Sequence, residues 1–416
     1  MAESFGAVIP APGSMGVDWE ERVDFGRLRE HRLRRAREAL DASELGALLA
    51  FDMNNVRYLT STHIGEWARD KLLTFALLTR GGEPIVWDFG SAAKHHRLYC
   101  PWLDPANSRA GLTGLRGAIA PEAGLFRGAA LEVKAVLEEA GVAGMPVGLD
   151  MTELPMLFEL QAAGVQVRDG QQVMLDAREI KSRDEIMLLT MAASMVDGVY
   201  QRIAEALKPG VREAEIVALA TGRLYELGSD DVEAINAISG ERCSPHPHNF
   251  SDRLIRPGDQ AFFDVIQAFN GYRTCYYRTF NVGRATEAQR DAYRQAREWM
   301  DAAIEMVEPG VSSDQIARLW PRAEEFGFSS EMEAFGLQFG HGLGLGLHER
   351  PVISRLHSLE HPVEIREGMV FALETYCPAA DGYSAARIEE EVVVTTQGAK
   401  VITLYPAEDL PIANEY

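Results

Sequence analysis

The spacing of hydrophobic and polar residues changes along the chain, and each change marks a new element. Residues 1–20 carry Pro10, Pro12, Gly13 and Gly16 and no apolar period, so they read as an extended arm. Leu28, Ala36 and Leu40 then supply the buried stripe of a helix predicted over 23–40. Its arginines (Arg27, Arg29, Arg32, Arg34, Arg35 and Arg37) are expected to form a solvated face. Short apolar runs predict strands at 46–51, 72–78 and 84–87, the last two split by the turn signal Arg80-Gly81-Gly82. A helix over 125–140, closed by Gly141, leads into a strand at 146–149. Strands alternating with helices predict a small N-terminal α/β domain over 21–175.

A second unit spans 176–416. A linker at 176–181 precedes Ser182-Arg183-Asp184-Glu185, a capping box. Ile186, Leu189, Ala193, Val196 and Val199 follow at helical spacing. Lys208-Pro209-Gly210-Val211 recurs one hundred positions later as Glu308-Pro309-Gly310-Val311. Each copy sits between two predicted helices, 183–207 with 212–227 and 286–307 with 312–326. Each pair runs into strand-like sequence, 259–283 and 335–394. This predicts a duplicated helix-helix-sheet unit with a pseudo-two-fold cleft, where ligands tend to bind. The fold class is therefore α/β (α+β): a small front domain, then a duplicated domain.

Composition narrows the function. At roughly 100–200 residues per domain, 416 residues suit two to three domains. Lysine plus arginine is 41 and aspartate plus glutamate is 62, a net charge of −21. Such an acidic chain repels phosphate backbones and anionic lipid, so neither nucleic acid nor a membrane surface is the expected partner. The longest apolar run, near 45–51, falls well short of the about 20 residues a spanning helix needs. The start shows no basic stretch followed by an apolar one. Four scattered cysteines (Cys100, Cys243, Cys275 and Cys377) do not make a disulfide framework and suggest a reducing cytoplasm.

The chemistry gathers on the strand segments of the second unit. Asp264 interrupts the apolar run Phe262–Ile266, and Cys275 follows eleven residues later. An odd spacing separates faces on one straight strand, but Asn270-Gly271 is a hairpin signal, and two adjacent strands can aim both side chains into one cleft. Phe339-Gly340-His341-Gly342-Leu343-Gly344-Leu345-Gly346-Leu347-His348-Glu349 is too glycine-rich for a helix and brings two histidines. Glu374 ends an apolar strand, and Glu389 begins a β-branched one. One imidazole, three carboxylates and a thiol form a plausible coordination shell for zinc, iron or manganese.

With Gly271-Tyr272, Arg278-Thr279-Phe280, Gly340-His341-Gly342, His348-Glu349 with Pro351, Gly368-Met369 and Arg387-Ile388-Glu389, the second unit resembles the creatinase/prolidase/methionine-aminopeptidase superfamily, peptidase family M24, of pita-bread fold. The resemblance covers about 180–405, and the two-domain layout is similar to that of creatinase, prolidase and aminopeptidase P. It implies a dinuclear metal site with ligands Asp, Asp, His, Glu, Glu, here Asp264, Cys275, His341, Glu374 and Glu389. Cys275 stands where the peptidases keep the aspartate that bridges both metals. The expectation is at most one tightly bound divalent metal (zinc, iron or manganese), held by Cys275, His341, Glu374 and Glu389; a metal-free, creatinase-like site is the alternative.

The resemblance further puts His348, His246, His248 and Glu374 forward as catalytic residues, with the sequence leaving open which of His246 and His248 acts. It puts forward Arg278, Arg387, Tyr272 and Trp67 as substrate-binding residues. A homodimer is implied, with His63, Trp67 and Trp87 as candidate lid residues. The implied activity is hydrolysis of a C–N bond in a dipeptide or other small molecule, Xaa-Pro peptidase-like or creatinase-like. Asn55–Thr62 and Pro84–Asp88 are also similar to dimethylsulfoniopropionate lyases of the same fold, and a non-catalytic binding module is a third reading.

Overall fold

The computed structural model describes residues 23–63, 65 and 71–416. The arm predicted at 1–20 and Trp67 both lie outside the described residues. The first helix, Phe25–Ala42, is N-capped by the Asp24 carboxylate. Its buried stripe is Leu28, Arg32, Ala36 and Leu40, so one arginine that was expected in solvent lies inside. Arg32 donates from Nε (2.9 Å) and Nη2 (2.7 Å) to the hydroxyl of Tyr272, in the second domain. Arg27 grips Asp184 through two bonds of 2.7 Å. The arginines do not simply form a solvated face: several fasten this helix to the rest of the molecule, because a guanidinium satisfies several acceptors at once.

The front sheet has six strands in the order β4-β3-β2-β1-β5-β6. They are β1 (Ala47–Ala50), β2 (Phe75–Thr79), β3 (Ile85–Asp88), β4 (Ser108–Ala110), β5 (Val147–Leu149) and β6 (Val167–Asp169). Helix Leu125–Glu139 packs its Phe126, Ala130, Val133 and Leu137 face on the sheet. Trp87 is part of that core: its ring stacks on Phe75 at 4.9 Å and its indole N–H bonds Glu132 at 2.7 Å. It is a packing residue, not a lid. His63 is exposed and lies beside Arg57.

The linker expected from 176 is instead the end of a helix, Gln171–Arg178. Its last carbonyls are taken up by Arg35, which bonds the oxygens of Asp176 and Ala177, and by the Tyr58 hydroxyl. Those donors let the helix run to the junction without leaving buried acceptors unpaired.

The second domain is duplicated. Helices Arg183–Ala206 and Glu213–Leu227 precede β7 (Asp231–Ser239), β8 (Gln260–Phe269) and β9 (Tyr272–Val282). Helices Glu287–Met306 and Ser313–Ala317 precede β10 (Phe339–Gly342), β11 (Glu349–Ile353), β12 (Val370–Pro378) and β13 (Ala385–Thr395). The predicted helix over 312–326 thus ends early: Pro321 has no N–H for the next helical bond and disfavours helix in the residue before it.

The two halves repeat bond for bond. Gly210 and Gly310 have φ of 92° and 93° and donate to Ile255 and Ile365 carbonyls, both at 2.8 Å. Gly258 and Gly368, at φ 82° and 84°, donate to Val282 and Val394. Only glycine enters that left-handed region without strain. The sheets β15-β9-β8-β7 and β11-β10-β12-β13-β14 meet where β9 lies against β13 (β14 is Gly398–Val401, β15 Ile412–Ala413). There the Thr279 hydroxyl donates to the Arg387 carbonyl and accepts its N–H.

Candidate metal centre

Each candidate ligand is placed by a local rule of its strand. Asn270 and Gly271 both have positive φ, 50° and 81°, which makes the tight turn that joins β8 to β9 with matched twist. The resulting register sets Ile266 opposite Cys275 and Asp264 opposite Tyr277. Asp264 is two residues from Ile266, so it shares a face with Cys275. The Cys275 Sγ lies 3.4 Å from Asp264 Oδ1. In the other half, Glu374 pairs directly with Glu389, and Phe339 of β10 pairs with Glu374. His341, two residues on, enters the same cleft.

The five side chains predicted as ligands therefore converge. His341 Nε2 is 3.6 Å from Glu374 Oε1 and 3.7 Å from Glu389 Oε1. Cys275 Sγ is 3.9 Å from Glu389 Oε2. One ligand atom each from Cys275, His341 and Glu389 falls within 4.8 Å of the others. Glu374 borders this triad, with Oε2 paired to Arg387. Asp264 stands on its far side, with Oδ2 accepting from Asn236 Nδ2 at 2.9 Å.

The donor set fits a cation. His341 Nδ1 lies 3.3 Å from the Gly342 carbonyl, the position of a donated N–H, which leaves Nε2 as the lone-pair nitrogen. That Nε2 and Glu389 Oε1 are buried without a hydrogen-bond partner. Unpaired buried acceptors cost free energy, and a cation between them removes that cost.

The electrostatics agree. Burial, then the neighbouring Glu374, pushes Asp264 up to about 6. Burial and the same crowding push Glu389 well above the carboxylate range. Burial and the carboxylates of Asp264 and Glu389 likewise hold the Cys275 thiol well up. Without positive charge, these groups cannot all ionise together. Burial keeps His341 below its ordinary value and therefore neutral, as a ligand must be.

Three further predicted residues border the centre. The ring of His348 lies 4.6 Å from that of His341, and His348 is exposed to the cleft mouth. Burial, then the neighbouring His341, lowers it to about 4, leaving it an uncharged proton acceptor at neutral pH. Arg387 contacts Glu374, the Gly336 carbonyl and His246 Nε2. Burial and that guanidinium lower His246 to about 2. His246 is thereby committed to Arg387, whereas His248, 4.6 Å away ring to ring, is exposed.

Two predicted substrate-binding residues are elsewhere. Arg278 is 1% exposed and spends its donors on the Tyr405, Tyr277 and Glu389 carbonyls and on Glu390. Tyr272 is fully buried at the domain junction between Arg32 and Glu185. Both lie three residues from Cys275, an odd offset that puts them on the opposite face of β9.

Sequence reasoning missed Asn236 and Glu391. Glu391 Oε1 accepts the Thr274 hydroxyl and the Cys275 N–H, both at 2.7 Å, and so fixes the cysteine backbone. Its signal was present, since Glu389 and Glu391 share a strand face. Glu349 was noticed only as part of a motif. It pairs with Arg178 at 3.2 Å and Lys181 at 3.1 Å, and accepts the Gly346 N–H at 2.8 Å. Burial alone would raise its carboxyl, yet those cations hold it below the ordinary value. It anchors the glycine-rich loop that carries His348.

Comparison with known proteins agrees with this geometry. Residues 188–396 match the model of metallopeptidase family M24. A probable dipeptidase PepE of Mycobacterium tuberculosis is 31% identical over 280 residues, covering 65% of this chain and 72% of the relative. The dimethylsulfoniopropionate lyase DddP of Roseovarius nubinhibens is 26% identical over 402 residues, covering 92% of this chain and 87% of the relative. The solved dipeptidase of Pyrococcus horikoshii superposes with a TM-score of 0.74 at 22% identity, over 92% of this chain and 99% of that one, a likeness of fold. The chain belongs to metallopeptidase family M24 and, with that family, is a hydrolase of the two-domain pita-bread type.

Proposed function

We propose that the chain hydrolyses a C–N bond in a small substrate of the Xaa-Pro dipeptide type, with at most one tightly held divalent cation. The observation that carries this reading is the convergence of Cys275, His341 and Glu389, with two of their acceptor atoms unpaired. A thiolate in place of a bridging carboxylate suits one zinc or iron and poorly suits a pair of harder cations. Cys275, His341 and Glu389 would hold such a cation, which would supply Lewis-acid polarisation of a carbonyl and lower the pKa of a water.

The protein's own groups do the rest. Arg387 holds Glu374 at one side of the centre. Asn236 holds Asp264 at the other. His348, uncharged at the mouth, accepts a proton from the attacking water and returns it to the leaving nitrogen. His248 is the second imidazole free to meet substrate, because His246 is engaged by Arg387. A cytoplasmic location, a homodimer and a small-molecule or dipeptide partner belong to the same reading.

Turnover of an Xaa-Pro dipeptide tests it, beside creatine and dimethylsulfoniopropionate. The reading expects hydrolysis of the dipeptide. Release of dimethyl sulfide instead would establish the lyase reading, which the near full-length match to the Roseovarius nubinhibens lyase favours.

A further inference from the structure

The front domain holds a second cluster of reactive groups. His96 and Cys100 are four residues apart, at the end of helix Gly90–Tyr99 and its C-cap, so they share a face. His96 Nε2 lies 3.0 Å from Asp88 Oδ2, at the end of β3. Asp88 is fixed in turn, because Oδ1 accepts the Thr74 hydroxyl at 3.0 Å and the Phe89 N–H at 2.8 Å. On its other side, His96 Nδ1 faces Cys100 Sγ at 3.9 Å. A nucleophile beside an imidazole, with the imidazole oriented by a carboxylate, is the arrangement that activates nucleophiles.

The other free cysteines lack this setting. Cys243 contacts carbonyls of Ile238 and Gln260, and Cys377 contacts that of Pro378. Burial pushes Cys377 up to about 12 and Cys243 well above the thiol range. Cys275 sits among carboxylates. Cys100 instead has an imidazole as its side-chain partner, backed by a carboxylate. The Asp88 bond, then the Cys100 contact, raise His96 to about 9. From the first helix, Arg29 lies at 4.3 Å over the ring of Trp102, two residues beyond Cys100. Cys100 itself is 8% exposed, yet Leu98, Tyr99 and Trp102 beside it are 66%, 65% and 40% exposed. Cys100 is thus flanked in sequence by solvent-exposed side chains on both sides.

We propose that Asp88, His96 and Cys100 form a relay that makes Cys100 a site of covalent modification by small uncharged electrophiles. The sulfur lone pair forms the new S–C bond as the carbon–leaving-group bond breaks. The electron pair departs with the leaving group, and the thiol proton stays on His96 Nδ1 while Asp88 balances the ring's charge.

The test is iodoacetamide labelling of the folded full-length protein at neutral pH, read by peptide mass spectrometry at all four cysteines. Iodide leaves as the S–C bond forms. Cys100 should label at least about tenfold faster than Cys243, Cys275 and Cys377. His96→Gln should slow it at least about tenfold in a protein with unchanged circular dichroism. Cys100 labelling no faster than the other three would overturn the proposal, as would wild-type labelling in His96→Gln. Should that variant fail to fold, the ratio among the four cysteines of the wild type decides alone.

Discussion

Cys275 shares with its carboxylate neighbours a burial that opposes its charged form. It is buried against Asp264 and Glu389, and both carboxylates oppose a thiolate. Two substitutions separate the roles at this scale. His341→Ala removes the one lone-pair nitrogen of the centre and should weaken cation affinity by about 100-fold or more, measured by competition with a chelator. Cys275→Asp restores a carboxylate that can bridge and should raise both two-metal binding and Xaa-Pro turnover. No gain in either would mean that the site serves other chemistry. The meeting of these side chains was legible in the sequence, since the five residues that matched the family pattern are the five the strands bring to one cleft. Their neighbours were legible only in part. Arg278 and Arg387 stand in equally suggestive motifs, but strand alternation sends Arg278 to the far side of β9 and Arg387 into the site.

Among the elements, the loop between β10 and β11 is held closely by Glu349. A Cβ on Gly344 would come within 2.5 Å of the Glu349 carboxylate, so a larger residue there must displace that anchor or the loop. Gly344→Ala should displace His348 and destabilise the protein by about 1–3 kcal/mol, checked by denaturant unfolding together with turnover. The glycine pattern announced close backbone approach, but not what the backbone approaches. Arg178 and Lys181 lie more than 160 residues from Glu349 in sequence, and no local pattern links them. The helix at Ser313–Ala317 shows the opposite case: Pro321 carried the stop signal, and the repeat pattern masked it.

The whole molecule is two domains joined by buried polar contacts. Tyr272 accepts from Arg32 twice and donates to Glu185 at 3.0 Å. Tyr272→Phe leaves those partners short and should cost about 1–3 kcal/mol of unfolding free energy, without direct loss of a cleft contact. The α/β front domain and the duplication could be read from periodicity. The docking could not, because a surface arginine and a buried one look alike in sequence. Stability should also depend on pH through His96. Its folded value of about 9 exceeds the ordinary 6.5, so the folded state holds the extra proton between them. That contribution is complete below about 6.5 and is lost as pH rises through about 9. The titratable groups facing the ring are Asp88 and Cys100. Wild type minus Asp88→Asn, compared by unfolding at pH 6 and pH 9.5, should shrink by on the order of 2 kcal/mol.

On the proposed reading, Cys275 at the bridging position limits this centre to one cation. Elemental analysis of the folded protein, loaded with zinc, iron or manganese and dialysed against metal-free buffer, tests it most directly. No more than one tightly bound metal per chain is expected, and one in the zinc- or iron-loaded protein. Two per chain would contradict it.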